Sequence, residues 1–269
     1  MGKPVAGARV ALVVFSWTGN RGGAGSAHSF SKWPAMLQAA GAAFDVFEVN
    51  LPGRGARMKE ACSTDARAIG AAAAAAIAGA VRTAVLLFGF AFGGILAYET
   101  AAALAAEHGV DPYGLVVASA EHPGWEGRTA AAPTEAMGDA AFEALLRRKG
   151  GTDVILSNAA MKKMYVPVIK SDMILEERYG ASAGGPDLGC PILAFVGERS
   201  GAATARECAP WLSRTTVADV ELSRVVPLSS GLRPTAQSPW LSDWYLCQGQ
   251  ESVEAMVAGI ASTFGGPSS

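Results

Sequence analysis

Between a run of apolar residues and an alanine-rich stretch, the chain reads Gly89-Phe90-Ala91-Phe92-Gly93-Gly94. A strand that enters Gly-x-Xaa-x-Gly and leaves at once as a helix is the setting of a nucleophile elbow, which raises one side chain above a parallel sheet. Glycine suits positions 89 and 93, because side chains there would collide with the adjoining strand and helix. In a working elbow the raised residue is serine, whose hydroxyl attacks a carbonyl carbon beside backbone N–H groups that receive the oxyanion. Here that position is Ala91, which has no nucleophilic atom. Phe90, Phe92 and Trp17 are candidate oxyanion or substrate-binding residues, with core packing as the alternative for the two phenylalanines.

An elbow needs a sheet beneath it. Residues 10–15 (Val-Ala-Leu-Val-Val-Phe) are almost continuously apolar and predict a strand buried on both faces, followed by a polar, glycine-containing loop. Similar runs at 44–50, 83–88, 113–118, 191–196 and 220–226 predict further strands. The alanine-dominated stretch 65–80 predicts a helix, as do 93–108, 204–212 and 251–264. Strands alternating with helices give an α/β protein with a mostly parallel sheet covered on both faces. From 130 to 185 the rhythm breaks: no buried-strand run occurs, and helical patterns at 140–148, 157–164 and 168–179 predict a helical lid inserted over the sheet. The expected organisation is a core of residues 1–129, the lid at 130–185, and the rest of the core at 186–269.

Composition narrows the function classes. With 22 basic and 24 acidic residues the chain has a formal net charge of -2, which gives no basic surplus for nucleic acid. Cys62, Cys190, Cys208 and Cys247 are widely spaced with no histidine cluster, so they predict reduced thiols; no metal and no cofactor are expected. The segment 84–98 is interrupted by glycines and too short to cross a membrane. The opening residues lack the pattern of a secretory leader, so a cytoplasmic or other intracellular soluble compartment is expected.

The elbow does not stand alone. Ala24-Gly25-Ser26-Ala27, Phe30, Trp33-Pro34, Leu51-Pro52-Gly53-Arg54-Gly55-Ala56-Arg57, Leu145-Leu146-Arg147-Arg148-Lys149-Gly150-Gly151-Thr152, Val166-Pro167-Val168-Ile169-Lys170-Ser171-Asp172, Cys190-Pro191-Ile192 and Trp211 occur in order along the chain. Together with the elbow they resemble type II thioesterases, the stand-alone acyl-thioester hydrolases of polyketide and nonribosomal peptide synthesis, over about residues 8–226. The resemblance implies an α/β-hydrolase fold, a serine–acid–histidine triad, and an acyl thioester on a carrier protein or synthase as ligand or partner. It also locates departures. The acid's place, in a Gly-x-x-Asp turn, reads Gly197-Glu198-Arg199-Ser200, so Ser200 stands there. The histidine's place falls near Leu232, and no histidine follows His122 anywhere in the chain. Because chain order in this fold is serine, acid, histidine, none of His28, His108 and His122 takes that role by a small shift of alignment. A lone serine-to-alanine change would have left the other two members in place. The loop 15–25 also lacks the family's proline, with Ser16 in its place.

His122 follows the strand ending near Ala118 and is a candidate replacement base for water, or else a loop histidine. Glu198 reads as a turn carboxylate or a catalytic one; Asp172, Glu176 and Glu177 face either the cleft or solvent. Trp125 and Tyr165 join the candidates for an acyl tunnel. Three functions remain open: binding of an acyl group, thioester or carrier protein without serine hydrolysis; other chemistry on a carbonyl compound; and a structural subunit of a larger assembly.

Overall fold

A computed structural model describes residues 9–16, 30–128, 132–150, 152–180, 185–197, 205–228 and 250–265. Its sheet contains β1 (Val10–Phe15), β2 (Phe44–Glu48), β3 (Val85–Phe90), β4 (Gly114–Ala118), β5 (Ile192–Gly197) and β6 (Arg224–Leu228). They lie in the order β2-β1-β3-β4-β5-β6, and every pairing is parallel. Every residue of β1, β3, β4 and β5 is buried, whereas β2 and β6 at the edges are only partly covered. Continuous apolar runs in the central strands are what burial on both faces requires.

Helices supply that cover. α1 (Trp33–Ala39) packs against α8 (Gln250–Phe264), and α2 (Ala66–Ala80) against α3 (Gly93–His108). Asp65 caps α2 by accepting from the N–H groups of Arg67 and Ala68 at 2.9 and 3.1 Å. Gly109, at φ 63, ends α3 in the left-handed conformation that glycine adopts at low cost.

Between β4 and β5 the described residues form no strand. They build α4 (Asp139–Lys149), α5 (Asp153–Ser157) and α6 (Ala159–Gly180). The helices predicted over 157–164 and 168–179 are one, α6, which runs unbroken through Pro167 although proline removes one ladder hydrogen bond. The C-terminal half of α6 is bonded to the rest of the protein through Asp172 to Arg54 and Tyr179 to Glu99. Phe142, Leu146, Ile155, Leu156, Ile169 and Met173 close an apolar cluster of their own, separate from the main core.

β6 begins four residues later than expected. Asp219 organises a turn there, accepting from the N–H of Glu221 through its side chain at 2.9 Å and from Ser223 through its carbonyl at 2.8 Å. The helix expected over 204–212 is shorter: α7 (Ala205–Cys208) passes into a 3-10 segment, Ala209–Arg214, with Pro210 near its start. No helix among the described residues is long and apolar enough to cross a membrane.

Candidate active site

The turn from β3 into α3 has the geometry its glycines predict. Ala91 sits at φ 50, a left-handed conformation that costs a residue with a side chain about 1–3 kcal/mol. Its N–H donates to the Ala118 carbonyl at 2.9 Å, which ties the vertex to the end of β4. A Cβ at Gly89 would lie 2.2 Å from the Gly93 carbonyl oxygen, and one at Gly93 would lie 2.3 Å from that of Phe15. These are main-chain atoms, so the close approach of β1, β3 and α3 depends on both glycines.

Ala91, Phe90 and Phe92 are all buried and belong to the main apolar core. Phe92 meets Tyr179 of α6 edge to face, with ring centroids 5.7 Å apart. Tyr179 donates to the buried Glu99 carboxylate of α3 at 2.6 Å, and burial, reinforced by that carboxylate, drives its phenol far above the ordinary range. The elbow helix is thereby joined to the insertion through a neutral hydroxyl.

One strand over, Ser119 repeats the strained geometry at φ 48. Its side chain is wholly buried, and its hydroxyl has no hydrogen-bond partner among the described residues. No feature of the sequence marks this residue out.

His122 is half-buried at the C-terminal side of β4. Its Nδ1 accepts from the Gly124 N–H at 3.1 Å. Burial, and then the positive charges of Arg128 and Arg214, hold the imidazole below its ordinary 6.5. A neutral ring whose Nδ1 accepts carries its proton on Nε2, which leaves a donor rather than a lone pair for general-base work. A pKa depressed by folding means the unfolded chain binds more protons below pH 6.5. The stability contributed by neutral His122 is therefore present above pH 6.5 and lost as pH falls through the lower, folded value. His122→Gln is expected to flatten this part of the stability–pH profile, as followed by urea midpoints from pH 7.5 to 5.

The three candidate carboxylates of α6 are engaged within the fold rather than solvated. Asp172, 1% exposed, receives two hydrogen bonds from the Arg54 guanidinium at 2.6 and 3.0 Å. Glu177 accepts from the Thr134 N–H at 2.8 Å and from its hydroxyl. Glu176 lies close enough to Arg128 to favour that residue's positive charge. Trp125 is half-buried with the Arg128 guanidinium over its ring, and Tyr165 packs on the insertion's own cluster. Trp17, Glu198, Ser200 and Leu232 lie outside the described residues.

A cavity of about 770 Å³ lies elsewhere, between α2 and the β2 edge, walled by Phe47, Val49, Ile69, Ala73, Ala76 and others; no elbow residue lines it. Among the described residues Cys62, Cys190 and Cys208 are unbridged, and burial pushes the Cys190 thiol up to about 12, so it supplies no thiolate near neutrality. No group of three or more potential metal ligands occurs among the described residues.

The model of a family described as Thioesterase domain matches residues 21–225. Thioesterase PikA5 of Streptomyces venezuelae is 33% identical over 133 residues, which is 48% of this chain and 45% of that protein, less than half of the relative's length. The solved structure of RedJ, a thioesterase from the prodiginine biosynthetic pathway in Streptomyces coelicolor, superposes with a TM-score of 0.71 at 24% identity, covering 96% of this chain and 87% of RedJ. YbtT, a type II thioesterase from the yersiniabactin NRPS/PKS pathway, gives 0.70 at 20% identity over 96% of this chain and 92% of its own. Identities this low carry the fold, and the parallel sheet with its helices is theirs.

Proposed function

The chain belongs to the thioesterase domain family, and from that premise we propose that it is a type II-like member which binds an acyl thioester, presented on a carrier protein, without serine-triad hydrolysis. The observation that carries this reading is Ala91: the elbow is fully formed, strained backbone included, and its vertex bears a methyl group. The sequence supports it at the two other positions, with Ser200 in the acid's place and no histidine after His122. Triad members act as a unit, so each loses most of its value when the others are gone. In this reading residues 130–185 are a lid over the thioester site. Chemistry through His122 is disfavoured, because its Nδ1 lone pair is engaged by Gly124.

The test is hydrolysis of a panel of acyl-N-acetylcysteamine thioesters. Wild type is expected to stay near the residual rate that a site without its triad retains, about 10³–10⁴-fold over water at most. Ala91→Ser alone should add little, whereas Ala91→Ser with Ser200→Asp and Leu232→His should raise turnover well above wild type. Rapid turnover by wild type that His122→Ala abolishes would overturn the proposal.

A further inference from the structure

α2 departs from the usual character of a helix laid on a sheet. Ile69, Gly70, Ala74 and Ile77 are buried, but the solvent side, which ordinarily carries charge, is built of alanine. Ala68, Ala72, Ala75, Ala76 and Ala80 are exposed, and Arg67 is the one charged residue from Ala66 to Ala80. Four of these alanines, 68, 72, 76 and 80, wall the cavity of about 770 Å³ beside β2. Phe47 of β2 stands in the same wall at 49% exposure, so one apolar surface runs across strand and helix and opens to water.

Dimensions and charge select the occupant. Ala68 and Ala80 lie about 18 Å apart along α2, which gives the cavity between them a mean cross-section of about 40 Å². A docking helix with its side chains is about 10–12 Å across and needs about twice that section. An extended peptide would set its N–H and C=O groups against Phe47, Val49, Ile69, Ala73 and Ala76, which offer them no partner. Every charged side chain in the wall is already engaged: Asp45 by Arg9, Glu48 by the Ser16 hydroxyl, Arg57 by Glu60, and Arg82 by carbonyls at the end of α2. The geometry points to a binding site for an unbranched hydrocarbon chain, laid along α2 and recognised by its methylenes rather than by its head group. Such a chain fills a slim apolar groove without stranding a polar group. The site is separate from the elbow, none of whose residues lines it.

The experiment is a calorimetric titration of the full chain with 1-hexanol, 1-octanol and 1-decanol, and with octanoate and octyltrimethylammonium as charged counterparts of 1-octanol. Affinity is expected to rise about fourfold per added methylene, and the three eight-carbon probes to bind alike. Ala72→Phe/Ala76→Phe, checked for native circular dichroism, fills the groove and should weaken 1-decanol by about tenfold or more, the loss of two buried methylenes. Ala75→Phe, exposed on the same helix but outside the wall, should leave that affinity unchanged. No binding of 1-decanol, an affinity indifferent to chain length or set by head-group charge, or one that the filled variant leaves unchanged, overturns the site. A wild-type dimer in sedimentation velocity that Ala72→Phe/Ala76→Phe dissociates assigns the groove to a second copy of the chain instead.

Discussion

Gly93→Ala is expected to cost more than about 4 kcal/mol, or to prevent folding altogether, because the added Cβ would stand 2.3 Å from the Phe15 carbonyl oxygen and 3.1 Å from its carbon. Neither atom belongs to a flexible side chain. The only relief is to move β1 away from α3, and β1 lies against β3 at the centre of the sheet. Two other glycines calibrate the result. Gly109 has open space around its would-be Cβ but φ +63, so alanine there should cost only about 1 kcal/mol of backbone strain. Gly79, inside α2 with nothing within 4 Å, should gain up to about 1 kcal/mol from alanine through helix propensity. Urea midpoints ordered Gly79→Ala, wild type, Gly109→Ala, Gly93→Ala would confirm that close packing sets the elbow; equal losses at 93 and 109 would refute it.

Arg54→Met is expected to lower stability by about 3 kcal/mol, the scale for removing one partner of a buried ion pair. For a protein of this size that is a fall in Tm of about 6–12 °C. Asp172, at 1% exposure, would lose the two guanidinium hydrogen bonds that now meet it. Arg54→Met/Asp172→Leu should recover much of the loss, since an apolar pair can replace a buried ionic one at little cost. A double variant as unstable as the sum of its singles would mean that the two residues act independently.

That ion pair also marks where sequence reasoning stops. The Pro52-Gly53-Arg54 loop and the Val166 to Asp172 segment were each legible as motifs, but nothing in either says that they meet across 118 positions. The central strands were legible because burial on both faces leaves an unbroken apolar signature. The edges were less so: residues 220–223 look strand-like, yet Asp219 draws them into a turn and Val220 is 73% exposed. α1 carries no side-chain cap and α5 is five residues long, so neither announces itself. Of the candidate site, the elbow could be read to the residue from its glycines. The strain at Ser119 could not, because serine at positive φ has no pattern in sequence.

The insertion's separate apolar cluster has a thermodynamic consequence for the buried elbow. Among the described residues, Phe142, Leu146, Ile155 and Leu156 cluster with Ile169 and Met173 of α6, apart from the sheet's core. Cooperative units within a protein open at free energies set by the surface each one buries, and the smaller unit opens first. Amide protons of α4 and α5 are therefore expected to exchange through an excursion cheaper than any that frees those of β3 and β4. In that excursion solvent would reach the insertion's interior while the ladder beneath Ala91 stayed intact.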